Sequence, residues 1–101
     1  MSVTVTIRFP VPDVPKAIEG LQNEAALLEQ IIEETKDAGL IHHRFVAGDG
    51  ELLVIDEWDS AEQFQAFFDG NTKVPEVMTQ IGVSGPPVVT IYESIDAPGT
   101  V

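Results

Sequence analysis

The feature that most limits what this chain can fold into is the order in which its apolar residues change period. Val3, Val5, Ile7 and Phe9 alternate with Thr4, Thr6 and Arg8, the period of a half-buried strand. Pro10 and Pro12 stop that run, and Asp13 stands where a helix N-cap belongs, with Pro15 tolerated in the first turn. The period then becomes helical. Ile18, Leu21, Ala25, Leu28 and Ile32 form one stripe, widened by Leu27 and Ile31, while Glu19, Glu24, Glu29, Glu33 and Glu34 lie mainly off it. Gly20 marks a place where this long helix can bend, with a break expected near Asn23, and Gly39 closes it.

The strand period returns over Leu40 to Ala47 and again over Glu51 to Trp58, joined at Gly48-Asp49-Gly50 by a hairpin signal. Ser60 and Gln63 form a capping box for a second helix that carries Phe64, Phe67 and Phe68 at i, i+3 and i+4. A short further helix is expected from about Pro75, with Val74, Val77, Met78 and Ile81 on one side. Val88 to Ser94 is the last strand. The order β-α-β-β-α-(α)-β is the split βαβ pattern, an α+β fold of the ferredoxin-like kind with a four-stranded antiparallel sheet. Right-handed crossovers put the helices on one face of that sheet. Residues 1–95 are expected to form a single domain and 96–101 a flexible tail.

Several function classes conflict with the composition. Seventeen acidic against five basic residues give a formal charge of −12, and the basic residues are scattered, so nucleic acid and anionic membranes are not expected partners. Cysteine is absent, which excludes disulfides, thiolate metal sites and a cysteine nucleophile. No apolar run reaches the roughly 18–20 residues of a bilayer span, and the opening residues do not resemble a signal peptide. A cytoplasmic location is expected.

The face of the sheet away from the helices is the next constraint. If Val3, Val5, Ile7, Phe9, Leu53, Ile55, Val89 and Ile91 point at the helices, the uncovered face carries Arg8, Leu40, His42, Arg44, Val46, Leu52, Val54, Asp56, Trp58, Val88 and Tyr92, among others. Such a face is too apolar to stand in water. A homodimer is expected, its two sheets closing a shared barrel around a mixed cavity.

The run Asp56-Glu57-Trp58-Asp59-Ser60-Ala61-Glu62-Gln63-Phe64 resembles the dimeric α/β-barrel superfamily, and within it the antibiotic-biosynthesis-monooxygenase-like proteins. Arg8-Phe9 at the end of the first strand and Ala38-Gly39 before the second match as well, so the similarity spans about Val3 to Glu93. It implies the dimeric α/β barrel. It also implies a cofactor-independent monooxygenase, an oxidoreductase, acting on a small aromatic or polyketide-like compound. The superfamily also includes isomerases, haem-degrading enzymes and proteins of no known activity, and a non-catalytic small-molecule-binding or stress-associated dimer is the alternative. Many relatives carry a histidine after the second helix, where this chain reads Asp69-Gly70-Asn71-Thr72-Lys73-Val74-Pro75-Glu76. The haem-degrading pattern of Asn, Trp and His is unmatched, and no cofactor and no metal are expected.

His42 and His43 are the only histidines, and as strand neighbours they point to opposite faces, so they cannot serve one metal site. In the register above His42 lies with Arg44, Asp56 and Trp58, which makes it the candidate general base toward a phenol or enol. The alternative is an edge histidine bonded to solvent or the partner. Arg8 and Asp56 would be an inward pair, either a substrate anchor or a structural ion pair. Trp58 and Tyr92 would wall an aromatic pocket, with the Tyr92 hydroxyl as donor or acid, or else pack the dimer interface.

Overall fold

The computed structural model describes residues 2–99. Its elements are β1 (Val3–Pro10), α1 (Val14–Asn23), α2 (Ala25–Ala38), β2 (Leu40–Gly48), β3 (Glu51–Trp58), α3 (Ala61–Gly70), α4 (Lys73–Ile81) and β4 (Val88–Glu93). The strands form one antiparallel sheet in the order β2-β3-β1-β4, with the helices packed on one face. This is the ferredoxin-like α+β fold. The expected tail 96–101 falls partly, at 100 and 101, outside the described residues.

Local signals account for most boundaries. Asp13 caps α1 by accepting from the Lys16 N–H at 3.1 Å, and Ser60 caps α3 by accepting from the Gln63 N–H at 3.2 Å. The box is closed through the Ser60 hydroxyl, which donates to Gln63 Oε1 at 2.9 Å, in place of the usual bond to the Ser60 backbone. The long helix divides at Glu24, which leaves helical geometry at φ −102° and ψ 27°. Gly20 serves a different purpose from a bend: a Cβ there would stand 3.1 Å from the Gln80 carbonyl oxygen, so α1 and α4 meet closely at this point. Helix α4 begins two residues before Pro75 because Asn71 Oδ1 accepts from the N–H groups of Lys73 and Val74 at 2.9 and 3.0 Å. At Gly39, φ is +117° and an added Cβ would lie 2.8 Å from Gln63, so only glycine turns the chain from α2 into β2 there.

The register corrects the expected face of β3, and in β2 that of Leu40 alone, while His42, Arg44 and Val46 stand on the uncovered side as expected. Val5 pairs with Asp56 and Ile7 with Val54, and partners in an antiparallel ladder share a face. Leu52, Val54, Asp56 and Trp58 therefore point at the helices and are buried, whereas Leu53 and Ile55 lie on the uncovered side. The expectation ran the other way because Leu52 to Ile55 is apolar in both phases. The flanking glutamates decide the matter. Glu51 and Glu57 share the phase of Leu53 and Ile55, and turning that phase inward would have buried two carboxylates. In β2 an irregularity between Leu40 and His42 changes the phase, so Leu40 lies opposite Trp58 and His43 opposite Asp56, both toward the helices.

This register makes a direct prediction. Leu52 is 1% exposed, so Leu52→Asp should cost at least about 3 kcal/mol and abolish the folded state. Leu53→Asp, one residue along, should leave the far-UV circular dichroism of the fold intact. Equal damage from both would contradict the observed phase of β3.

Candidate functional site

The side chains that the register brings together lie between the sheet and the helices. Asp56 sits on the central strand β3, 6% exposed, with His43 beside it on β2 and Trp58 two residues along its own strand. One carboxylate oxygen, Oδ1, is 2.6 Å from His43 Nδ1, and the other, Oδ2, accepts from Trp58 Nε1 at 3.1 Å. An indole N–H can only donate, and an ionised carboxylate can only accept. In the neutral imidazole, bonding to the carboxylate therefore places the His43 proton on Nδ1 and leaves the lone pair on Nε2. No hydrogen bond to Nε2 is made within the described residues.

Around this polar row the lining is apolar. The His43 ring stands edge-on to Phe45, centroids 5.0 Å apart at 88°. Trp58 meets Phe64 at 5.5 Å and Phe67 at 5.7 Å, and Phe64 stacks on Phe68 at 5.4 Å. These residues, with Leu28, Ile31 and Thr35 of α2 and Val77 and Met78 of α4, line a pocket of about 80 Å³. The Thr35 hydroxyl is taken up by its own helix, donating to the Ile32 carbonyl at 2.7 Å. What the arrangement offers chemically is one carboxylate-backed imidazole with a free nitrogen in apolar surroundings, the form of a positioned general base.

The six residues expected to share one site divide between the two faces of the sheet. Asp56 and Trp58 meet each other on the helix side. Arg8, His42, Arg44 and Tyr92 lie on the uncovered side, arranged in rows across the strands: Val46-Leu53-Arg8-Val88, Arg44-Ile55-Thr6-Thr90 and His42-Glu57-Thr4-Tyr92. His42 and Tyr92 share a row but are three strand spacings apart, roughly 14 Å. The His42 side chain is 80% exposed, with Nε2 3.9 Å from Glu57 Oε1. Arg8 pairs with Glu51, Nε to Oε1 at 3.2 Å, and has no part in the Asp56 row. His43, which sequence reasoning turned away from the site, stands in it. Glu51 and Glu57 of β3 are the signal that locates it, since they fix the inward phase of Asp56.

Among the described residues no group of three or more His, Asp or Glu side chains is placed to hold a metal ion. No helix among them is long and apolar enough to cross a membrane.

No protein-family model matches the sequence, and no curated protein matches it. Solved structures match well in fold. A monooxygenase of the ActVA-Orf6 gene of Streptomyces coelicolor, in complex with the ligand nanaomycin D, aligns with a TM-score of 0.72 at 15% identity, covering 99% of this chain and 93% of that one. A dimeric ferredoxin-like protein from an uncultured marine organism gives 0.69 at 14% identity, covering 95% and 90%. SnoaB of Streptomyces nogalater, a cofactor-independent oxygenase, gives 0.64 at 16% identity, covering 98% of each chain. The structural neighbours are thus ferredoxin-fold proteins of the antibiotic-biosynthesis-monooxygenase kind, similar to this chain in architecture over its whole length.

The Asp56 row carries its own prediction. Asp56→Ala would strand two donors, His43 Nδ1 and Trp58 Nε1, and should lower stability by about 2–4 kcal/mol. Urea unfolding followed by circular dichroism checks it. A loss below about 0.5 kcal/mol would show that the carboxylate does not hold the row together.

Proposed function

We propose that this protein is a cofactor-independent monooxygenase acting on a small aromatic compound, with the chemistry in the pocket between the sheet and the helices of each protomer. The observation that carries the reading is the His43–Asp56 pair in the lining of an aromatic pocket, with no hydrogen bond to Nε2 among the described residues. The general kind is supported by structural neighbours described as a monooxygenase and a cofactor-independent oxygenase. In this reading His43 Nε2 takes the hydroxyl proton of a phenol, and Asp56 stabilises the imidazolium that forms. The phenolate is electron-rich enough to reduce O₂ by itself. One oxygen atom becomes a ring carbonyl, and the other leaves as water with the hydroxyl hydrogen and the displaced ring hydrogen. The four electrons that O₂ gains all come from the ring. The apolar walls keep bulk water from the anion.

Oxygen consumption with a panel of hydroquinones and anthrones tests this. His43→Ala should lower kcat by roughly 10²-fold or more, and His42→Ala should change it little. Absence of turnover across the panel would sink the oxygenase reading and leave a binding role for the pocket. Equal losses in the two variants would contradict the assignment of the base to His43.

The uncovered face supports a homodimer. Its rows combine apolar Val46, Leu53, Ile55, Val88 and Tyr92 with two arginines, Arg8 and Arg44, and two glutamates, Glu51 and Glu57. The charges on that face cancel, although the chain as a whole carries −12. It is therefore the place where two copies can approach without repulsion. In this reading Arg8, His42, Arg44 and Tyr92 belong to the paired face rather than to the catalytic pocket. The interface should exceed roughly 1,000 Å². Sedimentation at micromolar concentration should show a dimer for the native protein and a folded monomer for Ile55→Glu. A monomeric native protein would refute it.

A further inference from the structure

We infer that the pocket selects neutral, single-ring phenols over fused-ring and anionic compounds. This deepens the proposed oxygenase reading and rests on its pocket. Three observations carry it.

The first is the hydrogen-bond inventory. Both Asp56 oxygens are occupied, Trp58 Nε1 and His43 Nδ1 donate to them, and Thr35 Oγ1 donates to its own helix. No side-chain donor of the lining is left to meet a ligand, and His43 Nε2, with no bond within the described residues, is the unoccupied acceptor. The ligand must bring a donor, and a group that can only accept would find no partner. The second is charge. The lining contains a buried carboxylate and no Lys or Arg, so a carboxylate or phosphate ligand would enter against Asp56 with nothing to neutralise it. The third is size. An apolar cavity of about 150 Å³ admits one benzene. At about 80 Å³ this pocket takes a single ring only when a flexible wall residue such as Met78 gives way, and a second or third fused ring meets Trp58 and the Phe64, Phe67 and Phe68 cluster.

Trp58 is the chain's only tryptophan and forms part of the wall, so its fluorescence reports occupancy. Native protein titrated with 4-methylphenol should show a saturable change. 4-Methylanisole, the same ring with its donor methylated away, should bind at least about 5-fold more weakly. 2-Naphthol and anthrone should be at least about 10-fold weaker, and benzoate should not compete. In His43→Phe the advantage of 4-methylphenol over 4-methylanisole should vanish. If that variant does not fold, the methylation comparison on native protein decides alone. Equal binding of the phenol and its methyl ether, tighter binding of anthrone, competition by benzoate, or no binding of 4-methylphenol would each overturn the inference. Turnover of anthrones without phenol binding would leave the oxygenase reading standing and remove this one. Phenol binding without oxygen uptake would do the reverse.

Discussion

The carboxylate of Asp56 is the interaction on which the rest of this structure depends. It is buried on a central strand, and it is tolerated there because each oxygen has a partner, His43 Nδ1 at 2.6 Å and Trp58 Nε1 at 3.1 Å. Those two bonds hold the edge strand's imidazole and the largest core side chain to one point. They also fix which imidazole nitrogen carries the proton, so one contact sets both the local packing and the chemistry available to the pocket. The aromatic shell from Phe45 to Phe68 then supplies the surroundings in which a proton taken by Nε2 has an effect. Without the aspartate the histidine would be another partly exposed ring at a sheet edge.

The fold was legible because each of its elements is marked twice, by period and by a terminus. Asp13, Gly39 and Ser60 sit where their caps are needed, and the Asp49-Gly50 turn between Gly48 and Glu51 sets the hairpin. The site was legible only in part. Asp56 and Trp58 stood out by residue type, but their partner did not. Leu52-Leu53-Val54-Ile55 gives no preference between faces, and taking β3 in the wrong phase set Asp56 and Trp58 beside His42 when their neighbour is His43, while the irregularity after Leu40 displaces only Leu40 from its expected face. A period-2 argument cannot see a bulge. The outward glutamates at 51 and 57 were the usable clue, since burying two unpartnered carboxylates costs far more than burying one that is bonded at both oxygens.

The two faces of the sheet divide the work of the molecule. The helix face holds the pocket and the imidazole nitrogen that no side chain occupies. The opposite face holds apolar residues and cancelling charges on a chain whose remaining surface is strongly acidic. A sheet that carries apolar residues on both sides favours cover on both, so in this account the pairing of two copies and the formation of the pocket are separate consequences of the same four strands.

The central claim is that Asp56 holds His43 as a base with its proton on Nδ1 and its lone pair on Nε2. ¹⁵N nuclear magnetic resonance of the histidine rings, in alkaline solution where imidazole is neutral, tests it most directly. His42, exposed on the other face, provides the reference within the same molecule. The account predicts that His43 Nδ1 carries the proton and Nε2 shows the signal of an unprotonated ring nitrogen, and that Asp56→Ala abolishes this preference. A native His43 protonated on Nε2, or one indistinguishable from His42, would contradict it.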